Sequence, residues 1–508
     1  MSETHGEAFS QLEETTIAQL QAAMSSGQLT AERLVGLYLE RIEAIDRQGP
    51  TLNSIIEINP DCLEIARALD RERAESEARG PLHGIPILIK DNIATVDSMQ
   101  TTAGSLALVG SKPPRDAFVA RKLREAGAVI LGKTNLSEWA NFRGDASSSG
   151  WSGRGGQTRN PYVLDRTPCG SSSGSGAAIA ASLAAAALGT ETDGSILCPS
   201  AINALVGIKP TVGLTSRAGV VPISHSQDTV GPMARTVADA AILLGAIAGI
   251  DEHDGATASS QGMYQSDYTK FLDANGLHGA RIGIARQQYF GYSAKTDAVV
   301  NAAIERMREL GAEIIDNADI PTAKQIGSSE SELKVLLYEF KADLNAYLAG
   351  LLDSPVRSLA DIIAFNDAHA GQELLYFGQE LMLKAQETTS LDDPTYLDAL
   401  AENRRLAREE GIDAVMNKYK LDALVMPTTG PAWCVDLING DHHGGGSAQP
   451  AALAGYPAIT VPAGYTFDLP IGITFMGRAY SEPTLIKLAY AFEQGTKMRR
   501  APRYLATI

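Results

Sequence analysis

The chain has 508 residues, of which 44% are hydrophobic and 20% are charged, and it carries a formal net charge of −17. This composition is typical of a soluble globular protein that is long enough for two or three average domains, or for one large domain with insertions. The acidic balance disfavours a nucleic-acid partner, because phosphate backbones require a basic surface, and no apolar run reaches the roughly 18 residues of a membrane span.

The first part of the chain predicts helices. Residues 12–48 indicate two of them, and Thr30 is placed to cap the second. The apolar residues at helical spacing in this second helix are Leu34, Tyr38, Ile42 and Ile45. Residues 62–79 predict a further, charge-rich helix that ends at Gly80. We therefore expect residues 1–79 to form a helical arm.

A short apolar run, HGIPILI, follows at residues 83–89 and is typical of a strand that is buried on both faces. It ends at Lys90, where burial would remove solvent from the amino group and make its charged form costly. From these residues alone, Lys90 either reaches solvent, pairs with Asp91 or has a functional role. A helix at about 116–126 and a strand at 128–131 continue an alternating α/β pattern.

Two serine-bearing turns come next. The first, GSSSGSG at 170–176, leads into an alanine-rich segment, 177–188, that propensity predicts as a helix, and the second is GTETDGS at 189–195. Free N–H groups and the helix dipole favour negative charge at the first turn. A Ser/Gly run alone is typical of a flexible linker, but a linker is not followed by a densely apolar helix. The spacing of a phosphate-binding loop is absent.

These turns resemble the signature segment of the amidase signature family, in which Gly-Gly-Ser-Ser-Gly-Gly, a small-residue helix and Gly-Thr-Asp-x-Gly-Gly-Ser-Ile-Arg follow one another. The resemblance implies that Ser195 is the nucleophile and that Ser171, after a cis peptide bond, is a bridging serine. The sequence GIPILIKD at 84–91 matches the family's lysine motif, which implies a catalytic role for Lys90. Lys133 lies in another matching segment and is interpreted as structural, because the catalytic lysine is already placed.

The resemblance implies a serine hydrolase that needs neither a metal nor an organic cofactor. A neutral Lys90 would take a proton from Ser171, which would take one from Ser195, as in serine–lysine variants of the Ser-His-Asp arrangement. Ser195 would then attack the amide and form an acyl-enzyme, with Ser172 as a hydrogen-bonding support. The implied oxyanion hole consists of the backbone N–H groups of Thr192, Asp193, Gly194 and Ser195.

Three residues near the second turn depart from the family pattern. Glu191 replaces the usual Asp, Asp193 the usual Gly and Leu197 the usual Arg. Asp193 places a carboxyl group on the turn that would hold an oxyanion. Its side chain either points away from this site or helps to define the pocket, where it would exclude substrates with a free carboxylate.

The resemblance is dense over residues 80–250, the predicted catalytic core, and returns within 421–508. Residues 255–420 are more individual and are predicted as a helical insertion that determines substrate specificity. Within it, LYEFKADLNAYLAG at 337–350 and FNDAHAGQELLYFGQE at 365–380 resemble the branch of the family that removes ammonia from C-terminally amidated peptides. Helical spacing is clear in two groups, which are Leu333, Leu336, Leu337 and Phe340, and Leu374, Phe377 and Leu381.

We expect a single amidase domain over residues 1–508, of the α/β class, with one large mixed, mostly parallel central β-sheet covered on both faces by helices. The expected reaction converts the C-terminal amide of a peptide to the free acid and ammonia. The expected partner is a small-molecule or peptide amide, with no nucleic acid and no membrane. The oligomeric state stays open, and a monomer is compatible with the sequence.

Three alternatives remain at this stage. The first is an amidase that acts on other linear aryl or aliphatic amides. The second is the amidase subunit of a glutamine-dependent tRNA amidotransferase, which works in a complex and depends on ATP. The third is a catalytically silent binding protein, in which the serines and the lysine would have no chemical role.

Four cysteines are too few and too scattered for a disulfide framework or a zinc site. Cys169 and Cys198 flank the serine turns and can pair, although packed free thiols are favoured. A chain without a charged and apolar leader is cytoplasmic by default, and a periplasmic or secreted location applies if a leader was removed.

The eight histidines indicate no metal site. Their one cluster, His442 and His443 beside Asp441, lies in a glycine-rich run that is typical of a solvated loop. His225 and His369 are predicted as core or pocket-lining residues.

Overall fold

A computed structural model describes residues 12–508, so that residues 1–11 of the predicted arm lie outside the described residues. The strands of the described chain are β1 (Ile55–Ile58), β2 (Pro86–Lys90), β3 (Val129–Thr134), β4 (Trp151–Ser152), β5 (Gly156–Gln157), β6 (Ala186–Glu191), β7 (Val206–Lys209), β8 (Thr229–Ala234), β9 (Arg281–Ile284), β10 (Glu313–Ile315), β11 (Ala423–Pro427), β12 (Ala458–Thr466) and β13 (Leu469–Met476).

Eleven of these strands form one sheet in the order β1-β3-β2-β6-β8-β7-β12-β13-β11-β9-β10, and β4 pairs with β5. Its neighbours are antiparallel in six pairs and parallel in four. The prediction of a mixed sheet is confirmed, but the prediction that it is mostly parallel is wrong. Short connections, such as the one between β12 and β13, can join only antiparallel neighbours.

Helices pack around this sheet, as the α/β class predicts. They are α1 (Ile17–Ser25), α2 (Ala31–Ile42), α3 (Cys62–Glu75), α4 (Phe118–Glu125), α5 (Ser173–Ala180), α6 (Leu197–Ile202), α7 (Val237–Ile247), α8 (Ala294–Glu309), α9 (Ala323–Ser328), α10 (Ser331–Ala349), α11 (Leu359–Ala368), α12 (Ala370–Glu373), α13 (Glu380–Gln386), α14 (Pro394–Ala407), α15 (Asp413–Tyr419), α16 (Gln449–Ala454) and α17 (Glu482–Thr496). Not one helix in the described part of the chain has the length and apolarity needed to cross a membrane.

The regions predicted as helical also contribute strands to the sheet. In the N-terminal arm, α1, α2 and α3 are confirmed, and the Thr30 side chain accepts the Arg33 N–H at 3.1 Å, as expected of a cap. This arm also contains the edge strand β1, and the region 255–420 contains β9 and β10. Both regions are therefore built into the central sheet, and the divisions of the chain at 79, 250 and 420 stay a prediction.

The alanine-rich segment 177–188 does not form one helix. Helix α5 ends at Ala180, and strand β6 begins at Ala186. The predicted helix is therefore wrong for residues 181–188. Alanine favours helices, but β6 is hydrogen-bonded between β2 and β8, and this pairing overrides a weak local preference. Because β2 and β6 are parallel, the second serine turn, whose residues 189–191 complete β6, lies at the same end of the sheet as Lys90.

In the predicted insertion, helix α10 confirms the first group of helically spaced leucines. The second group is only partly helical, because Leu374 and Phe377 lie between α12 and α13. Phe377 instead packs against the Arg143 guanidinium, 4.0 Å from its ring centre, and against Trp151. The chain is therefore not helical between Glu373 and Glu380.

Candidate active site

Strand β2 brings Lys90 into the interior of the protein. All five strand residues are buried, as the apolar run predicts, and Lys90 is 0% exposed. Its Nζ atom lies 2.7 Å from Ser171 Oγ, 2.8 Å from Thr190 Oγ1 and 3.3 Å from Thr190 O. Asp91 faces Arg154 at 3.5 Å. Lys90 therefore does not reach solvent, and its nearest partners are hydroxyl and carbonyl groups.

Burial lowers the pKa of Lys90 to about 7, although the negative charges of Asp228 and Glu191 act in the opposite direction. Near neutral pH, a large share of the amine is therefore uncharged. A neutral amine has two N–H donors and one lone pair. Since Thr190 offers two acceptors, the lone pair is left to face the hydroxyl proton of Ser171. This arrangement suits proton transfer from Ser171 to Lys90.

The first serine turn is packed and is not a linker. Residues 171–180 are all buried. A Cβ atom on Gly174 would lie 2.2 Å from Ser54 O and 2.5 Å from Asn135 O, so that the backbone approach requires a glycine here. The peptide bond between Gly170 and Ser171 is cis, which confirms the expectation drawn from the family.

The two serine turns lie against each other. The Ser172 N–H donates to Ser195 O at 3.2 Å. A disulfide bond joins Cys169 to Cys198, whose Cα atoms are 6.0 Å apart, so that the prediction of packed free thiols is wrong. Spacing in the sequence could not show that α6 packs beside the first turn. Within residues 12–508, no hydrogen bond joins the hydroxyl groups of Ser171 and Ser195 themselves.

Glu191 organises the turn that carries Ser195. Its Oε2 atom accepts the N–H of Ile196 at 2.7 Å and the N–H of Leu197 at 2.9 Å. The carboxylate therefore satisfies free N–H groups at the start of α6, where the helix dipole favours a negative charge. This contact gives Glu191, one of the three departures from the family pattern, a role in shaping the turn.

Of the four N–H groups predicted to form the oxyanion hole, one faces a carboxylate and three remain available. The Gly194 N–H faces the Glu191 carboxylate. For the described residues, no protein acceptor takes the N–H groups of Thr192, Asp193 and Ser195. Free N–H groups on one tight turn are suited to bind the negative oxygen of a tetrahedral intermediate.

Ser172 contacts Lys90 through Thr190. Its Oγ donates to Thr190 O at 3.1 Å and accepts the Thr190 N–H at 3.2 Å. Thr190 Oγ1, besides contacting Lys90, accepts from Asn92 Nδ2 at 3.0 Å. Thr190 and Asn92 were not predicted from the sequence. Their positions at or just after the ends of two buried, parallel strands are the signal that could have identified them.

Asp228 is a further residue that the sequence patterns missed. Thr192 Oγ1 donates to Asp228 Oδ1 at 2.6 Å, and the N–H groups of Ile223 and Ser224 donate to Oδ2 at 2.9 and 3.0 Å. Burial raises the pKa of Asp228 to about 6. Asp228 directly precedes β8, the antiparallel neighbour of β6, so that only knowledge of this pairing would have placed it beside Thr192.

A cavity of about 570 Å³ opens beside the serine turns, within the size range of small-molecule sites. The residues that precede the two serines, Gly170 and Gly194, line it. Its described lining includes Asp145, Asp193 and Asp441 but no lysine or arginine. The cavity is therefore acidic. Asp193 is exposed and lines it, which favours the alternative in which this residue helps to define the pocket.

The glycine-rich loop 440–447 is exposed at residues 442–444, as predicted of a solvated loop, and it also forms part of the cavity wall. Asp441 accepts the N–H groups of Ser149 and of the Trp433 ring, both at 3.1 Å. The His443 ring lies edge-on to Trp433 at 5.5 Å, and burial lowers the pKa of His443. The contacts of Asp441 and His443 hold the loop at the cavity. Because the pKa of His443 is lowered, its imidazole is uncharged at neutral pH.

The prediction that His225 and His369 are core or pocket-lining residues is wrong, because both are exposed and neither lines the cavity. His369 is exposed and stacks on Phe365. His225 lies between two carboxylates, with Nδ1 at 2.9 Å from Asp343 and Nε2 at 3.3 Å from Glu339. The hydrogen bond with Asp343 raises the pKa of His225. These three side chains could together hold a metal ion, but with both ring nitrogens engaged the arrangement is that of an ion pair.

Comparison with known proteins identifies the family of the chain. A family model described as Amidase matches residues 33–486. The chain belongs to the amidase signature family. It is 47% identical to an Arabidopsis thaliana protein named a probable amidase, over 97% of this chain and 92% of that protein. It is 35% identical to a glutamyl-tRNA(Gln) amidotransferase subunit of Moorella thermoacetica, over 96% of this chain and 97% of the relative.

Solved structures extend the likeness to the whole fold. Peptide amidase from Stenotrophomonas maltophilia is 54% identical, with a TM-score of 0.92 over 97% of this chain and 99% of that one. An amidase family protein from Bacillus anthracis is 36% identical, with a TM-score of 0.88 over 99% and 94% of the two chains. The amidase signature fold is therefore confirmed, and the chain is an amidase signature enzyme that is structurally close to peptide amidase.

Proposed function

We propose that the chain is a serine amidohydrolase of the peptide amidase type, which converts the C-terminal amide of a peptide to the free acid and ammonia. The observation that carries this proposal is the contact of 2.7 Å between the buried Lys90 amine and the Ser171 hydroxyl. A serine hydroxyl is too weak a nucleophile by itself and needs a base, which this contact supplies.

The reaction begins with two proton transfers. Neutral Lys90 takes the hydroxyl proton of Ser171 while Ser171 takes the hydroxyl proton of Ser195. The Ser195 oxygen forms a bond to the amide carbon, and the carbonyl oxygen becomes an oxyanion. The N–H groups of Thr192, Asp193 and Ser195, with Gly194 beside them, stabilise this oxyanion. A single donor of this kind contributes about 2.7–4 kcal/mol to lowering the barrier.

Collapse of the intermediate completes the first half of the reaction. The protonated Lys90 returns a proton through Ser171 to the amide nitrogen, the carbon–nitrogen bond breaks, and ammonia leaves an acyl-enzyme on Ser195. Water then adds to the acyl carbon and loses a proton along the same path, and this path returns the proton to the Ser195 oxygen as its bond to the acyl carbon breaks and the peptide acid is released. The relay requires the hydroxyl groups of Ser171 and Ser195 to approach when substrate fills the cavity, because catalytic hydrogen bonds often tighten only in the complex.

The substrate class is supported by the likeness to peptide amidase and by the cavity. An acidic lining without lysine or arginine among its described residues suits an uncharged carboxamide better than a carboxylate. The alternative of aryl or aliphatic amides keeps the same chemistry and differs only in what fills the cavity.

An assay of ammonia release from a panel of amidated dipeptides and simple aryl and aliphatic amides tests this function. The wild-type protein should release ammonia from the dipeptide amides and react with a fluorophosphonate probe. Ser195→Ala should do neither. Faster hydrolysis of simple amides would instead favour the alternative substrate class, and probe labelling of Ser195→Ala would contradict the proposed nucleophile.

A second candidate is an amidotransferase subunit, favoured by the 35% identity to the Moorella thermoacetica relative. Such a subunit works in a complex and depends on ATP. Ammonia release from peptide amides by the purified chain, without ATP or another protein, would exclude this candidate as the principal function. Activity with glutamine only after a partner is added would favour it.

A further inference from the structure

The carboxyl group of Asp193 is paired. It lies within hydrogen-bonding reach of the Glu332 carboxyl group, at the beginning of α10. Asp193 and Glu332 are 139 positions apart in the sequence, and the fold brings them together beside the cavity. Two carboxyl groups can share a hydrogen bond only if one of them keeps its proton. The pair therefore holds one proton and one negative charge.

The surroundings place this charge on Glu332. Gln227 Nε2 donates to Glu332 Oε1 at 3.0 Å, and Gln449 Nε2 donates to Oε2 at 2.8 Å. Burial raises the pKa of Glu332, but the donors on both of its oxygens act in the opposite direction and favour its ionised form over that of Asp193. Although Asp193 is exposed at the cavity, desolvation of its carboxyl group by the surrounding protein and then the nearby Glu332 charge raise the pKa of Asp193 well above its usual range. Asp193 is thus the member of the pair that keeps the proton.

The other charged groups that act on Asp193 offset each other. The negative charge of Glu191 raises the pKa of Asp193, and the positive charge of Lys209 lowers it. The described cavity lining has no lysine or arginine, and Leu197, where the family usually has an arginine, supplies an apolar wall. One negative charge therefore remains next to the turn that carries Ser195.

We propose that the Asp193–Glu332 pair is the selectivity element of the cavity, whose single negative charge excludes ligands with a free C-terminal carboxylate and admits neutral amides. The inference rests on the proposed function, which sets the reacting group beside Ser195, two residues after Asp193. A free acid brings a second negative charge towards the pair in a partly desolvated cavity, whereas an amide brings none. The same repulsion favours release of the acid product.

The test compares acetyl-Gly-Leu amide with acetyl-Gly-Leu acid, because acetylation leaves the C-terminal carboxylate as their only difference in charge. Calorimetry measures Kd for both ligands with Ser195→Ala protein, which cannot turn over the amide. The same measurement is made after adding Asp193→Asn, and after adding both Asp193→Asn and Glu332→Gln.

Asp193→Asn is the matched control, because asparagine copies the protonated aspartate and leaves the Glu332 charge in place. Acid binding should therefore stay as weak as in the parent. In the variant with both substitutions, binding of the acid relative to that of the amide should tighten at least about tenfold. Unchanged acid affinity in this variant, or a full gain with Asp193→Asn alone, would overturn the proposal.

An infrared difference spectrum between wild type and Asp193→Asn at pH 7 tests the shared proton directly, even if the doubly substituted protein does not fold. The wild type should show an additional band of a protonated carboxyl group, and its absence would contradict the pair. Different results would reject this inference and the proposed function. Hydrolysis of amides with unchanged acid binding would reject only this inference, whereas absence of amide hydrolysis by wild type would reject the proposed function.

Discussion

Two buried lysines end neighbouring strands of the sheet, and only one of them meets a serine. Lys90 ends β2 and Lys133 lies near the end of β3, and each is 0% exposed. In the register of this parallel pair, Ile89 faces Lys133, so that the alternation of side chains places the two lysines on opposite faces of the sheet. Each amine contacts one backbone carbonyl and one threonine hydroxyl, and for Lys133 these are Ile93 O at 2.6 Å and Thr101 Oγ1 at 2.9 Å.

The two sites differ in their remaining neighbours. Burial lowers the pKa of both lysines, to about 7 for Lys90 and to about 8 for Lys133, where Asp91, Asp97 and Glu57 act in the opposite direction. Lys90 has the Ser171 hydroxyl as its third partner. Burial alone therefore makes a lysine easier to deprotonate, but a base also needs a neighbour that can give up a proton.

The same substitution at both positions should separate the two roles. Lys90→Met should lower kcat/KM for an amidated dipeptide by about 10²–10⁴-fold, because it removes the general base. Ammonia release measures the rate, and circular dichroism checks that the variant is folded. A folded Lys90→Met protein with near-normal turnover would break the comparison and the proposed relay with it.

Lys133→Met should act on stability instead. Loss of the amine leaves Ile93 O and Thr101 Oγ1 without their donor, which should lower the free energy of unfolding by about 1–3 kcal/mol. Urea unfolding measures this change. The turnover of the folded variant should match the wild type, and a large loss of turnover here would mean that Lys133 also takes part in the reaction.

The pH dependence of the wild-type rate shows which of the two lysines titrates in the reaction, because their pKa values differ. Lys90 acts as a base only when it is neutral, so that kcat/KM should be constant above pH 7 and fall about tenfold per pH unit below it. Initial rates between pH 5 and 9 measure this profile. Lys133 should leave no inflection near pH 8, and Lys133→Met should retain the wild-type profile.

The smallest expected effects concern the hydroxyl groups behind each lysine. Ser172→Ala and Thr101→Val should each lower the free energy of unfolding by about 0.5–1.5 kcal/mol, because each removes a buried hydrogen-bonding partner. Only Ser172→Ala should also lower turnover, since Ser172 positions Thr190 against Lys90. Parallel unfolding and rate measurements compare the two, and equal turnover in both variants would argue against a positioning role for Ser172.

Local sequence patterns were sufficient to predict features that depend on a single helix or strand. The apolar run before Lys90 predicted a buried strand, and Thr30 predicted the start of α2. Patterns were not sufficient at residues 177–188, where pairing with β2 and β8 places the end of an alanine-rich segment in a strand. Nor could they assign the bond between Cys169 and Cys198, which depends on how α6 packs against the first serine turn.

The sequence by itself determined that a lysine would end a strand buried on both faces and that two turns rich in serine and glycine would follow, because these features depend on neighbouring residues. Only the tertiary structure decided that Lys90 meets Ser171, 81 positions away, and that Glu332 stands behind Asp193. Strand order and helix packing set such contacts, and both result from the burial of the whole sheet rather than from any one segment.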